Sequence, residues 1–310
     1  MKKVIATIAA IVLAAGAAFA QDLAQATEIF NAGAAALEEG DKAASLAKFN
    51  EALTMATELG EEGQAVVDQC KAIIPKVSLS MAKDLVKAGD YDAALTNLEV
   101  VSMLAEKYDA FEVLGEASDL IPQVMKSKAA SLLKAKDYAG AIEAYKKVLE
   151  ADPTDGVSAL RLGSALNAAG NTEEAIAAFE QAAANGQEAQ AGKQIGTIYL
   201  KKSSTLLKEK KYADAVEAAQ KAYDYSSNAQ ALQIAGQASQ LAGKNADAIK
   251  YFTQYLEAAP DAKNAGTIAY TVGALYQGQK NNAKAKEYYQ KAVDDPKMGA
   301  EAKKMIDALK

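Results

Sequence analysis

Four glutamines in the last third of the chain have a spacing that favours hydrogen bonding to another polymer. Gln230, Gln233, Gln237 and Gln240 are separated by three, four and three residues, which places their amides on one face of a helix. An amide both donates and accepts, so a row of amides matches the backbone of an extended peptide without needing charge. Glutamine is also a good helix former, and a solvated helix face remains the alternative interpretation.

The sequence lacks the side chains that enzymes use most. It has no histidine, which is the commonest general base and metal ligand, and no tryptophan, which often stacks on sugars. We therefore expect no catalytic residue, no metal site and no cofactor. A glycoside hydrolase with two carboxylates is the enzymatic alternative, but no acid lies on an apolar stretch that would raise its pKa.

The stability of the protein must come from packing. Cys70 is the only cysteine, so no internal disulfide can form, and its apolar neighbours Val66, Val67, Ile73 and Ile74 predict a buried thiol. Half of the residues are apolar, with alanine prominent, and only five are prolines, a composition typical of an all-helical protein.

The N-terminus has the pattern of an export signal. Lys2 and Lys3 form a basic start, Val4 to Gly16 is apolar, and Ala18-Phe19-Ala20 supplies a small-x-small cleavage site. We predict a signal peptide over residues 1–20 and a mature chain without a membrane span; a retained anchor is the alternative. The expected compartment is the periplasm, with secretion or association with the outer membrane as alternatives.

The net charge argues against a nucleic-acid partner. Removal of the two signal-peptide lysines would change the formal charge from −6 to −8, and Arg161 is the only arginine. Nucleic-acid-binding proteins usually carry a basic surface and use arginine for bidentate contacts to bases. Along the chain lysines and acids are intermixed, so we expect charge to contribute little to partner binding.

A short sequence motif recurs seven times, and the helices that it predicts must position the glutamine side chains. Each copy begins at a turn residue that we call the anchor, and the spacing from Lys136 to Gly170 is 34 residues, the period of a helix-turn-helix repeat. The anchors are Gly40, Gly89, Lys136, Gly170, Lys210, Gly243 and Lys280. The next residue is a predicted helix N-cap in five copies, namely Asp41, Asp90, Asp137, Asn171 and Asn281. Asn171 and Glu174 also have the spacing of a capping box.

Three apolar positions follow each anchor at fixed distances. A small residue stands five positions on, a bulky one usually four further, and another apolar residue three further, which predicts one packed helix face. The small residues are Ser45, Ala94, Ala141, Ala175, Ala215, Ala248 and Ala285, and the bulky ones are Phe49, Leu98, Tyr145, Phe179, Phe252 and Tyr289, with Ala219 as the exception. In the preceding helix Gly163, Gly236 and Gly273 predict close helix packing.

These residues resemble the tetratricopeptide repeat family over about Ala24 to Pro296. The resemblance implies an all-α, right-handed superhelix, or α-solenoid, of about seven helix pairs in one repeat domain over residues 21–296. Met298 to Lys310 predicts a polar cap helix, and we assign residues 297–310 to it. Pro75 and Pro122 indicate long first helices in the second and third pairs, or short extra helices.

The resemblance also implies where a partner would bind. In this family the first helix of each pair lines a concave groove, and four positions per repeat face it. The predicted groove residues are Leu160, Arg161, Asn167, Leu200, Lys201, Gln230, Gln233, Gln237, Gln240, Tyr270 and Gln277. The implied function is a non-enzymatic scaffold or adaptor of the cell envelope that binds a segment of another protein. A structural or self-assembling envelope component is the alternative.

Overall fold

The protein is built from helices throughout the part that the structure describes. The computed structural model describes residues 17–309, so most of the predicted export signal, residues 1–16, lies outside the described residues. Helices and short turns account for this range, and no strand occurs within it. The contacts divide the chain into two compact units after Pro153, whereas the sequence predicted one continuous repeat domain.

The N-terminal unit consists of three helix pairs. Its helices are α1 (Ala17–Glu38), α2 (Lys42–Glu58), α3 (Gln64–Ala88), α4 (Tyr91–Lys107), α5 (Phe111–Lys134) and α6 (Tyr138–Ala151). A 3₁₀ turn, Gly60–Gly63, precedes α3. α3 and α5 run without interruption through Pro75 and Pro122, so the prediction of elongated first helices is confirmed and the short extra helices are not found.

The C-terminal unit consists of four helix pairs and a final helix. Its helices are α7 (Gly156–Ala169), α8 (Thr172–Ala182), α9 (Glu188–Lys208), α10 (Tyr212–Ser226), α11 (Ala229–Leu241), α12 (Asn245–Ala258), α13 (Ala265–Gly278), α14 (Asn282–Lys291) and α15 (Gly299–Ala308). Met305, Ile306 and Leu309 of the last segment pack against the core around Tyr289. The predicted cap helix therefore covers the end of this unit.

All seven anchors adopt the left-handed conformation that ends a helix before a sharp turn. Gly40, Gly89, Gly170 and Gly243 have φ between 74° and 90°, and the three lysine anchors have φ of 60° to 62°. The following turn is closed by a backbone hydrogen bond from the residue after each anchor, as in Asp137 N to Leu132 O at 3.0 Å. The anchors predicted from the sequence are confirmed as the turns of seven helix pairs.

Four of the five predicted N-caps make the expected hydrogen bond. The carboxylates of Asp41, Asp90 and Asp137 and the amide of Asn281 accept from a backbone N–H three residues on, at 2.9–3.2 Å. The prediction is wrong for Asn171, which stands at the start of α8 but makes no side-chain cap bond. The first turn of α8 holds Glu173 and Glu174, whose negative charge favours the helix N-terminus without a cap.

The repeated apolar positions form the contacts between the two helices of each pair. Every predicted small residue is 0% exposed, and the predicted bulky residues are at most 1% exposed. A Cβ atom added to Gly163, Gly236 or Gly273 would lie 2.5–2.7 Å from the ring of the bulky residue on the next helix. These glycines are therefore required for contact between backbone and ring. Ser45 differs from its counterparts because its buried hydroxyl has no hydrogen-bond partner.

In both units some neighbouring first helices contact each other. α3 contacts both α1 and α5, and α9 contacts α11, whereas within residues 17–309 no two second helices of neighbouring pairs make comparable contacts. The first helices therefore form the more closely spaced row, which we call the inner row, and the second helices form the outer row. A partner segment can touch several neighbouring repeats most easily along the inner row.

Replacing a lysine anchor by glycine is expected to stabilise the protein. Lys136 has φ of 62°, a conformation that costs an L-residue about 1–2 kcal/mol but is open to glycine. Because glycine also gains more freedom in the unfolded chain, we expect Lys136→Gly to raise the free energy of unfolding by about 0.5–1 kcal/mol. Urea unfolding followed by circular dichroism measures the change.

Lys147→Gly is the matched control, because Lys147 is an exposed lysine in the interior of α6. We expect this control to lower the free energy of unfolding by about 1 kcal/mol. Loss of stability in Lys136→Gly comparable to that of the control would contradict the role of the left-handed turn.

Candidate partner-binding site

The predicted groove positions remain open to solvent on the inner row of the C-terminal unit. Each of α7, α9, α11 and α13 contributes four positions at the same distances before its anchor, and none of the sixteen is buried. They are Val157, Leu160, Ser164 and Asn167; Thr197, Leu200, Ser204 and Leu207; Gln230, Gln233, Gln237 and Gln240; and Thr267, Tyr270, Ala274 and Gln277. The packing positions between them, such as Gly163 and Gly236, are buried.

The glutamine row on α11 keeps its hydrogen-bonding capacity free. Gln230 and Gln240 are exposed, and Gln233 and Gln237 are half-buried between neighbouring side chains. Within the described part of the chain, none of the four side-chain amides hydrogen-bonds to another protein group. The two central amides are thus partly withdrawn from water and available to a ligand, the arrangement in which amide hydrogen bonds contribute most to specificity.

A cleft opens where α9 meets the turn between α7 and α8. Its volume is about 620 Å³, and three predicted residues, Asn167, Thr197 and Lys201, line it. Ile176 and Ile198 give it an apolar floor, and the sequence analysis did not select either residue. Ile198 lies next to the predicted position Thr197 in the sequence, but it is buried and belongs to the packed side of α9. The cleft joins a polar edge to a small apolar patch.

Two predicted residues on α13 are held by Tyr289 from α14. The hydroxyl of Tyr289 donates to Gln277 Oε1 at 2.7 Å, and the rings of Tyr270 and Tyr289 are 5.2 Å apart. Desolvation raises the pKa of Tyr289, with a smaller contribution from Tyr270. Gln277 and Tyr270 therefore support the fold of the last repeat, and any binding role would use only their exposed edges.

The other predicted residues differ in how far they are engaged by the protein. Arg161 and Lys201 are exposed and occupy equivalent positions on α7 and α9, nine residues before their anchors. Leu200 is half-buried and packs against the core shared by α11 and α12, while Leu160 is half-buried on α7. The two cations are free to contact a partner, whereas Leu200 contributes mainly to packing.

A tyrosine pair that the sequence analysis missed lies beside this region. The rings of Tyr199 and Tyr225 stack with centroids 6.1 Å apart, and the Tyr225 hydroxyl donates to Glu180 Oε1 at 2.7 Å. That hydrogen bond, with desolvation and the charge of Glu180, raises the pKa of Tyr225 to about 12. The hydrogen bond between Tyr225 and Glu180 joins α10 to α8 across the irregular turn Ala183–Gln187. The two residues are 45 positions apart, so no short sequence pattern could predict the contact.

In the C-terminal unit the first helices carry basic residues with almost no acids, whereas the second helices carry both. Glu188, in the first turn of α9, is the only acid within α7, α9, α11 and α13. The basic residues within these helices are Arg161, Lys193, Lys201, Lys202 and Lys208. The expectation of intermixed charge holds for the second helices, where acids and lysines pair, but not for the first helices.

Three carboxyl groups have lowered pKa values, which favours their ionised form. Hydrogen bonding to a lysine lowers the pKa of Asp84 through Lys42, of Glu217 through Lys221 and of Glu287 through Lys284. A general acid needs the opposite shift. Within residues 17–309, acidic and thiol side chains form no cluster of three or more that could hold a metal ion. No helix in this range is long and apolar enough to cross a membrane.

The structure defines a helix-pair repeat protein with an open inner row. Models of the tetratricopeptide repeat match residues 132–194, 200–263 and 267–294, which together make up half of the chain. The chain therefore belongs to the tetratricopeptide repeat family. The pairs anchored at Gly40 and Gly89 precede the matched residues and complete the set of seven.

Solved structures of similar proteins have low overall superposition scores. A crystal structure of MamA is 24% identical and covers 58% of this chain and 94% of its own, with a TM-score of 0.35. YrrB, described as a TPR protein with an unusual peptide-binding site, is 24% identical over 57% of this chain and 88% of its own, with a TM-score of 0.32. The P58(IPK) TPR domain is 17% identical over 92% and 97%, with a TM-score of 0.28. No curated protein sequence matches the chain.

The Cys70 thiol is expected to react only when the protein unfolds. The side chain is 0% exposed in the core of the N-terminal unit, and burial raises its pKa from 9.0 to about 12. The protonated thiol therefore stabilises the fold fully below pH 9.0, and this contribution is lost as the pH rises towards about 12. Iodoacetamide at about pH 8, followed by mass spectrometry, should modify the urea-unfolded chain and spare the native one.

A second thiol at an exposed position provides the control for reagent activity. Ser131 is exposed near the end of α5, so Ser131→Cys should add one modified thiol in the native protein. Equal labelling rates for Cys70 in native and unfolded protein would contradict its burial.

Proposed function

We propose that the protein is a non-enzymatic scaffold or adaptor of the cell envelope that holds a segment of a partner protein along its inner row. The observation that carries this proposal is the set of free amides on α11, of which Gln233 and Gln237 are half-buried without a protein partner. Shielded amides can add directional hydrogen bonds to a peptide backbone. Membership in the tetratricopeptide repeat family supports an interaction role in general.

The envelope location rests on the N-terminal sequence. The basic start, apolar stretch and small-x-small site of residues 1–20 are the elements of a secretory signal, and export would place the protein in the periplasm or beyond. A single, deeply buried cysteine suits an oxidising compartment, because the thiol is protected from pairing between chains. Fractionation of cells that express the full chain tests this part independently of partner binding.

A binding role is favoured over catalysis by the electrostatics of the acids. The shifted carboxyl groups are exposed and are held in the ionised form by lysines, whereas a glycosidase requires a protonated acid opposite a second carboxylate. The cap formed by α15 also covers the apolar end of the last pair. End-to-end assembly through that surface is therefore disfavoured relative to partner binding.

Site-specific photo-crosslinking distinguishes the inner row from the outer row. A photo-reactive amino acid replaces either Gln237 on α11 or Gln254, an exposed glutamine on α12, in the full chain produced in its native cell. We expect a discrete crosslinked partner from position 237 and a much weaker product from position 254. The product at 237 should decline when Gln233→Glu is added, because a carboxylate cannot donate to the partner backbone.

Equal crosslinking from positions 237 and 254, or the same products after Gln233→Glu, would contradict binding along the inner row. Circular dichroism of each variant confirms that the helices are intact. The comparison is matched because both positions start as glutamine on helices of one pair.

A further inference from the structure

Some inner-row cations of the N-terminal unit pair with acids of the protein, whereas those of the C-terminal unit do not. In the N-terminal unit, Lys83 of α3 forms an ion pair with Glu116 of α5, and Lys128 of α5 with Asp92 of α4. In the C-terminal unit, none of Arg161, Lys193 and Lys201 has an acidic partner within 4.0 Å. The same is true of Lys208 in the described part of the chain. The C-terminal inner row therefore keeps uncompensated positive charge.

These cations are arranged as a stripe along one helix. Lys193, Lys201 and Lys208 are exposed on α9 with spacings of eight and seven residues, so they lie on one face with the exposed Thr197 between them. The stripe spans about 22 Å, the length of about seven residues of extended peptide. Helix α9 contacts α11 through the side that carries Leu200 and Leu207, whereas Thr197 and Lys201 line the cleft on the α7–α8 side of α9. A segment that contacts both the stripe and the α11 amides must therefore cross the open face of α9.

The acids nearest the stripe do not neutralise it. Glu173 on α8 and Glu209 after α9 border the cleft that contains Lys201. Glu209 already pairs with Lys211 at 2.8 Å, and Glu173 lies in the first turn of α8, where the helix dipole favours its charge. Glu188 lies five residues before Lys193 in the first turn of α9, where the helix dipole favours its charge, and far from Lys201 and Lys208. Positive potential therefore predominates along the central face of α9.

We propose that the segment bound by the C-terminal inner row is acidic, with its carboxylates on the α9 stripe and its backbone on the α11 amides. This inference rests on the proposed function and adds the chemistry of the partner. Charge complementarity supports the proposal, because an acidic segment can form ion pairs with lysines that have no acidic partner within the protein. Such a field also accelerates encounter with an acidic segment and repels a basic one.

Peptide probes of opposite charge test the proposal on the purified full chain. A fluorescein-labelled peptide of about ten residues with alternating glutamate and alanine spans the stripe, and a lysine–alanine peptide of the same length is the comparison. At an ionic strength of about 50 mM, we expect fluorescence anisotropy to show binding of the glutamate probe only, weakening as salt increases. Equal binding of the two probes, or no binding of the glutamate probe, overturns the proposal.

Charge reversals locate the contact. The double variant Lys201→Glu with Lys208→Glu should weaken binding of the glutamate probe by about tenfold or more, since two attractions become repulsions. Lys244→Glu with Lys286→Glu makes the same change in net charge at exposed positions of the outer row and should alter binding less than about twofold. Equal losses in the two double variants overturn the proposal, because the effect would then reflect net charge alone.

Two substitutions of one glutamine separate this inference from the proposed function. With an acidic partner, Gln233→Lys should strengthen binding of the glutamate probe and Gln233→Glu should weaken it. If both substitutions weaken capture of the crosslinked partner equally, the inner row still binds but the acidic inference fails. If neither changes capture, the proposed function fails as well. The inner row could instead bind a second copy of this protein. Light scattering that rises with protein concentration and falls when the glutamate probe is added would show this and would overturn the assignment to another protein.

Discussion

The approach of the two helices in a pair depends on a small residue of the first helix lying against a large side chain of the second. In four pairs this residue is glycine, seven positions before the anchor, and it faces an aromatic ring: Gly33 and Phe49, Gly163 and Phe179, Gly236 and Phe252, Gly273 and Tyr289. The equivalent positions in the other pairs are the buried Ala82, Ala129 and Ser203. In these four pairs the ring packs directly on the backbone of the first helix, so the contact fixes the helix register there.

The same constraint creates the candidate site. One face of a first helix packs against the large side chain of its second helix, and another face packs against the next pair. The remaining face must therefore point to solvent. On α11 that face carries Gln233 and Gln237, and on α9 it carries Lys201 and Lys208. Packing therefore decides where a partner can bind but not what it is, and chemistry at the open face is free to differ between repeats.

The sequence revealed features that depend on local spacing. The anchors with positive φ, the buried small and bulky positions and most caps follow from residue types a few positions apart. It did not reveal contacts between distant segments, such as Tyr225 with Glu180, or the capture of Gln277 by Tyr289. The charge pattern was within reach, because assigning each residue to a first or second helix separates the acids from Arg161 and Lys201. Averaging along the chain concealed it.

A double-mutant cycle between Gly236 and Phe252 tests the central packing claim most directly. Gly236→Ala should lower the free energy of unfolding by about 1–3 kcal/mol, because the added Cβ would lie 2.5 Å from the Phe252 ring. In a Phe252→Leu background the same change should cost markedly less, giving a coupling of at least about 0.5 kcal/mol in urea unfolding. An equal cost of Gly236→Ala in both backgrounds would show that the ring does not set the register and would contradict the account.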